Sequence, residues 1–338
     1  MNDKITHNGG NSRLAELFRS PSVRALASLL VIVVLGLIFN ADGSFFKWGT
    51  HRDMLRQVSV YGVLACGMTL VIITSGIDLS VGSILGLSAV LFSLFSIQWG
   101  WSPWLAIAAC FAAGTACGAA SGALVARFNI QPFIATLAMM VFARGMAKFV
   151  SGGQKISTAV MQPDGTYQYV EVPRIFDFLN SRILGENLTV VTLILLACVV
   201  GCYIVLAKLR WGRYIYAIGG NEEAARLSGV PVAMVKVLAY GLSGFFCALA
   251  GICQASQELQ GDPEAGMAYE LTAIAIVVIG GTSLRGGRGS IGLTLLGTMT
   301  IGYLEKILSI NAVGEASRLM LTGAIIVGAV LFQKTRRS

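Results

Sequence analysis

The chain has 338 residues, 55% of them hydrophobic and only 12% charged, with a net charge of +8. Soluble domains carry about 25% charged residues, so this chain lacks the polar surface to cover a water-soluble body, and the bilayer has to be its solvent. The basic residues form no single stripe, which argues against a nucleic-acid partner, and His7 and His51 are too far apart to build a metal cluster or a catalytic dyad.

Roughly 20 apolar residues cross the hydrocarbon core as a helix, and such runs recur along the whole chain. After a polar tail at 1–23, the first is expected at 24–40. It resembles a signal anchor but is followed by no cleavage site, so it is kept as a helix. Runs at 55–74 and 79–97 are separated by a Gly-containing polar break. Runs at 104–126 and 133–150 follow. A loop at 151–187 then carries turn residues Pro163, Asp164, Gly165 and Pro173, and its Tyr167, Tyr169, Ile175, Phe176 and Phe178 predict a packed cap. Beyond it come 188–207, a polar loop at 208–236, a run at 235–256, a run at 271–281 short enough to be re-entrant, 291–308, 319–332 and a tail at 334–338. The fold class is therefore all-α: a polytopic membrane helical bundle of about ten transmembrane helices, one transmembrane domain over 24–333. The seven cysteines all lie in apolar runs without CxxC spacing and read as small packing residues.

Sidedness follows from Lys and Arg, which concentrate on the cytoplasmic side of membranes. Lys4, Arg13, Arg19, Arg127, Lys208, Arg210, Arg213, Arg285, Arg288, Lys334 and Arg336 all fall in segments on one side, whereas Asp42, Asp53, Asp164, Glu171, Asp177, Glu186, Glu258, Asp262, Glu264, Glu270 and Glu315 fall on the other. Both termini and the 208–236 loop are thus expected in the cytoplasm, and 151–187 in the periplasm. Arg144 and Lys148, one turn apart near the outer end of the fifth run, are expected to snorkel to the headgroups. Residues 71–87 (VIITSGIDLSVGSILGL) and 277–293 (VVIGGTSLRGGRGSIGL) also echo one another as apolar run, Gly-rich break and apolar run, the pattern of a parallel internal repeat.

Three segments carry chemistry. In the 208–236 loop, Asn221 is a good N-cap, Glu222 and Glu223 suit the positive end of a helix dipole, and Ala224, Ala225, Arg226 and Leu227 are helix formers. Gly229 stops the helix and Pro231 prevents its continuation. A connector has no need of such careful capping, whereas a docking surface does. The second segment, Gly76-Ile77-Asp78-Leu79-Ser80-Val81-Gly82-Ser83, places an acid between apolar runs, which is costly unless it is paired, capping or facing water. Asp78 is expected to cap the third helix at N2 or N3 with help from Ser80. Ser75, Gly76, Asp78, Ser80, Gly82 and Ser83 are the candidates for a broken helix bordering a solute path. The third segment, at 280–290, is Gly-rich but lacks the Lys of a phosphate-binding loop and follows no strand. It binds no nucleotide, and Arg285 and Arg288 read as inner-face anchors.

Glu223-Ala224-Ala225 followed by Gly229 resembles the E-A-A-x-x-x-G pattern of ABC importer permeases. The surrounding GGNEEAARLSGVPV, SGIDLSVGS at 75–83 and GGTSLRGGRGS at 280–290 are similar to the permeases of the ribose, arabinose and xylose type, and the likeness runs from about Tyr61 to Phe332. In that family the capped segment forms the coupling helix that sits in a groove of the ATP-hydrolysing subunit. The resemblance implies ATPase coupling through Glu222, Glu223, Ala224, Ala225, Arg226 and Gly229, with ATP bound by a separate partner and no cofactor or metal in this chain. It further implies a second permease copy, an ATP-binding cassette subunit, a periplasmic sugar-binding protein, a small sugar as cargo, and a bacterial inner membrane as location. The acids Glu258, Asp262, Glu264 and Glu270 are expected to meet basic residues of the binding protein. Two other classes stand beside this one. An ion-coupled transporter would keep acid relays inside its spans, which are nearly free of acids outside Asp78 and Glu305. A membrane enzyme would need clustered carboxylates.

Overall fold

The computed structural model describes residues 20–161, 165–314, 316–321 and 323–325. Its helices are α1 (Pro21–Ile38), α2 (Trp48–Ile73), α3 (Val81–Ser93), α4 (Pro103–Arg127), α5 (Pro132–Ser151), α6 (Arg174–Asn180), α7 (Val190–Tyr203), α8 (Arg210–Gly220), α9 (Glu222–Leu227), α10 (Val232–Glu258), α11 (Tyr269–Ile279) and α12 (Ile291–Ile310). One wide turn extends α3 through Gln98, and another extends α7 through Lys208. Prolines 21, 103 and 132 open α1, α4 and α5, positions where the missing N–H would have no helical partner anyway.

The core is built from α2, α3 and α10. α10 packs along α4, α3 and α2, and α1 rests against α12. The α4–α10 crossing is a backbone contact. A β-carbon on Gly118 would stand 2.2 Å from the Tyr240 carbonyl oxygen, and one on Gly244 would stand 2.1 Å from that of Gly114. With Gly122 these residues recur every fourth position on one face of α4, the small-residue spacing that lets membrane helices approach closely. Six of the seven cysteines are buried and all are free thiols.

The 151–187 loop holds two short hairpins, β1 (Ala159–Met161) with β2 (Tyr167–Tyr169) and β3 (Arg182–Ile183) with β4 (Leu188–Thr189), flanking α6. Only part of the expected cap packs. Phe176 is fully buried and stacks on Phe92 at 4.9 Å, while Tyr167, Tyr169 and Phe178 face outward. The loop sits over the start of α2, where Trp48 donates to Asn187 at 2.6 Å and Arg56 to Asn180 at 2.6 Å.

Among the described residues eight helices are long and apolar enough to cross a membrane. The run expected at 271–281 is α11, whose 11 residues span only about 16 Å. Residues 259–268 ahead of it are irregular and run down α3, from Gly261 beside Ala89 and Ser93 to Gly266 beside Gly82. This crossing is therefore part irregular chain and part helix, and it runs from the far end of α10 to the Gly-rich break beside α9 rather than turning back as a re-entrant element. The run expected at 319–332 falls largely outside the described residues, as do the tail at 334–338 and residues 1–19 of the expected N-terminal tail, whose helix begins at Pro21.

Candidate functional site

α9 is a turn and a half of helix capped at both ends. Asn221 Oδ1 accepts from Ala224 N–H at 3.0 Å. At the other end Gly229 N–H reaches Arg226 O and Val230 N–H reaches Ala225 O, both at 3.0 Å, with Gly229 at φ +81°. This paired closure with glycine in the left-handed region stops the helix as the sequence indicated. Glu222 points inward rather than toward solvent. Its carboxylate pairs with Lys236 of α10 at 2.6 Å and with Arg226 at 3.1 Å. Partial burial pushes the Glu222 carboxyl up, but the hydrogen bonds and charges of Lys236 and Arg226 outweigh it and hold the group below the usual carboxylate range. Ala225 is buried, whereas Glu223, Ala224, Arg226 and Gly229 are exposed. The six predicted residues thus divide into an inner pair that fastens α9 and an outer set. Arg226 is paired with an acid of its own helix, Glu222.

Sequence reasoning passed over two features here. Leu227 is 81% exposed at the tip of α9, a large apolar side chain outside every span. The available signal was a leucine within the polar, capped stretch from Asn221 to Gly229. The second is α8, whose buried Gly212, Ile215, Ile218 and Gly219 recur at helical spacing. α8 leads into α9 and locks onto the two Gly-rich breaks. Gly287 N–H donates to Ile73 O at 2.9 Å, Ser75 Oγ donates to Arg285 O at 2.8 Å and to Gly219 O at 3.2 Å, and Tyr216 donates to Gly289 O at 2.8 Å. Gly219 has to be glycine at this crossing, because a β-carbon would stand 1.7 Å from Ile73 O. The breaks at 74–80 and 280–290 therefore meet each other and the α8–α9 turn at one end of the bundle, and the echoing helices run in the same sense. Arg285 and Arg288 are exposed at that end.

From this knot the chain climbs back into the core. Asp78 is fully buried. Its Oδ1 accepts from Ser80 N–H at 3.0 Å and Ser80 Oγ at 2.5 Å, and its Oδ2 from Ser243 Oγ at 2.8 Å. The expected cap at N2 or N3 is not formed. Because Ser80 itself occupies the N-cap position of α3, Asp78 reaches only that residue on its own segment and turns its second oxygen to α10. Ser243 is the twelfth residue of the 27-residue α10, about 16 Å along it, so α3 begins deep in the bundle. There it meets the start of α11, where a β-carbon on Gly82 would stand 2.1 Å from Gly266 O. The N-terminal ends of α3 and α11 thus meet inside the bundle, each preceded by non-helical chain, an arrangement tolerated at membrane depth only where protein or a cavity surrounds it.

The candidate path residues separate accordingly. Ser75 and Gly76 line a cavity of about 290 Å³ together with Glu222, Lys236, Gln131 and Tyr240. Asp78, Ser80, Gly82 and Ser83 lie in the closed core above it. Arg144 does not snorkel. It donates to the carbonyl oxygens of Pro263, Ala265 at 2.8 Å and Gly82 at 3.4 Å, binding the irregular 259–268 segment to the start of α3. Lys148 pairs with Glu264 at 2.6 Å and Lys155 with Asp262 at 2.8 Å. These acids, expected to face a partner, are engaged within the chain. Among the described residues no cluster of His, Cys, Asp and Glu is suited to a metal ion.

Helices that begin inside a polytopic bundle beside non-helical chain are the arrangement with which transporters border a solute site. The match to known proteins is specific: residues 52–330 match the family described as the branched-chain amino acid transport system / permease component, and the chain belongs to this family. It is 38% identical over 317 residues to the ribose import permease protein of Escherichia coli K12, covering 93% of this chain and 94% of that protein. It is 39% identical to the ribose import permease protein of Bacillus subtilis, covering 91% of each. To the fructose import permease protein of Rhizobium meliloti it is 35% identical, covering 93% of this chain and 85% of that one. No solved structure matches it.

Proposed function

We propose that the chain is the membrane-spanning subunit of an ATP-driven importer that carries a small sugar, a pentose, hexose or related polyol, delivered by a periplasmic binding protein. Two copies work with a separate ATP-binding cassette chain in a bacterial inner membrane, with both termini and α9 facing the cytoplasm. The similarity to ribose and fructose import permeases supports the cargo class. The observation that carries the coupling role is the mechanical continuity of α9. It is capped at both ends, pinned to α10 through Glu222 and Lys236, and joined through α8 to the ends of both broken spans.

On this reading Glu223, Ala224, Arg226, Leu227 and Gly229 meet the motor chain, while Glu222 and Ala225 fasten the helix from within. A push on α9 reaches Gly219 and Gly220, and from there Ile73 and Ser75. The segment from Ser75 to Ser83 then shifts against Tyr240 and Ser243 of α10. Ser75 and Gly76 form the inner mouth of the path, and Asp78, Ser80, Gly82 and Ser83 frame its closed part. ATP binding moves such an equilibrium only through a difference in affinity for the two states, which requires the docking rod to be stiff. The caps of α9 supply that stiffness. No cofactor of its own enters this scheme.

The test separates ATP drive from ion drive. In cells whose entry route for the sugar is this chain and its partners, uptake is expected to survive an uncoupler and to stop when ATP is depleted. Uptake that stops with the uncoupler while ATP is maintained would refute the reading and favour ion coupling.

A further inference from the structure

We propose that a polar and aromatic cluster in the half of the bundle away from α9, made by Tyr61, Gln254, Glu258, Tyr269 and Glu305, is a contact site for sugar hydroxyls on the transport path. The inference rests on the importer reading above and deepens it, since it names where the permease itself touches the cargo.

The five side chains come from α2, α10, α11 and α12, which are brought together only by the fold. The rings of Tyr61 and Tyr269 stand 4.5 Å apart at 55°, with the two hydroxyls within electrostatic reach of one another. Gln254 donates to Glu258 Oε1 at 2.5 Å, and Glu258 lies within electrostatic reach of Tyr269. Glu305 lies within electrostatic reach of both tyrosines, with Arg318 as the cation facing it. Gly62 packs on Thr298 and Gly302 on Val58, so α2 and α12 run antiparallel. Helical side chains lean toward the N-terminus of their own helix, so Tyr61 and Glu305 lean toward each other.

Burial separates this cluster from a structural one. Gln254 is nearly buried, but Tyr61, Tyr269 and Glu305 are half-buried and Glu258 is exposed. An ionisable side chain at membrane depth faces the bundle interior or water and marks a solute pathway. A pair of tyrosine faces suits the C–H surface of a sugar ring, and a carboxylate with an amide suits its hydroxyls. Other openings fit a polyol less well. The cleft of about 440 Å³ between α7 and α10 is lined by Leu70, Phe245, Phe246 and other apolar residues. At Asp78 both carboxylate oxygens already have partners.

Three substitutions test the site in cells where this chain with its ATPase and binding protein is the sole entry route: Tyr61→Phe, Tyr269→Phe and Glu305→Gln. The two Phe variants keep the rings and their packing, so they decide the matter should the Glu305 variant fail to accumulate. Uptake of radiolabelled ribose and fructose is measured with the membrane level of each variant and its binding-protein-stimulated ATP hydrolysis. Loss of one hydrogen bond to the cargo is expected to lower uptake roughly tenfold and to change the ribose-to-fructose ratio about threefold. Membrane level and ATP hydrolysis stay near wild type. Because the binding protein is unchanged, a change in that ratio can arise only in the permease. Unchanged uptake, or an equal fall for both sugars at a fixed ratio, overturns the site. If the wild type moved neither sugar at the expense of ATP, the importer reading falls and this site falls with it.

Discussion

Replacing Gly229 with valine tests the coupling role of α9 most directly. Gly229 adopts φ +81° immediately after the C-cap Ser228, and nothing lies within 4 Å of where a β-carbon would stand. A side chain there meets no neighbour, so the whole penalty is in the backbone. The left-handed conformation costs an L-residue roughly 1–2 kcal/mol, and a β-branched residue sits at the upper end of that range. α9 has six residues, too few to persist without its caps, and an N-cap is itself worth only about 1 kcal/mol. The strain is thus comparable to what holds the helix. A shift of 1–2 kcal/mol changes a population by a factor of about 5–30, and the apparent affinity for a docking partner falls by up to the same factor. In proteoliposomes holding the full complex, Gly229→Val is expected to lower the sugar moved per ATP hydrolysed at unchanged insertion. Gly229→Asn should stay close to wild type, because asparagine tolerates the left-handed region. If the valine variant kept normal coupling, or the asparagine variant failed equally, the argument from the cap would be wrong.

Three further outcomes follow from the geometry. The Glu222 carboxyl is held below its ordinary value, so its contribution to anchoring α9 is complete above an ordinary carboxylate pKa near ~4.3 and is lost only as pH falls through the lower folded value. Protease protection of the 208–236 loop should therefore be flat between about pH 6 and 8 and drop at strongly acid pH, whereas a drop near neutrality would contradict the ion pairs. Arg144→Gln removes the donor to three carbonyls. A loss of about 3 kcal/mol in holding the 259–268 segment should speed maleimide labelling of an Ala265→Cys reporter by about a hundredfold, and an unchanged rate would show that Arg144 does not clamp it. Gly118→Leu drives a β-carbon into a main-chain oxygen of α10 and should cost about 3 kcal/mol or more. Gly145, open on α5, is the control, and equal melting of Gly118→Leu and Gly145→Leu in detergent would refute the close crossing.

The spans were legible because hydrophobic length is a local property. The runs read at 104–126, 133–150 and 291–308 agree within two residues with α4, α5 and α12. α9 was legible for the same reason, since Asn221, the paired acids and Gly229 act on their immediate neighbours through caps and backbone conformation. Asp78 was misread because its second partner, Ser243, lies 165 positions away. Arg144 was read as snorkelling because its carbonyl acceptors are supplied by residues 82 and 263–265. Asp262 and Glu264 looked free for a partner for the same reason, since Lys155 and Lys148 lie more than a hundred positions away.

Composition and local pattern thus determined that the chain lives in a bilayer, roughly where it crosses, and which short helix it shows outside, because each depends on residues within a turn or two. Only the tertiary structure decided that α3 and α11 both begin inside the bundle, meeting at Gly82 and Gly266, and that two distant Gly-rich breaks join beneath α9. It alone gathered Tyr61, Gln254, Tyr269 and Glu305 into one cluster. These are encounters between backbones and side chains far apart in the chain. Inside a membrane the buried polar groups find partners within the protein, and the packing of the whole bundle selects which ones.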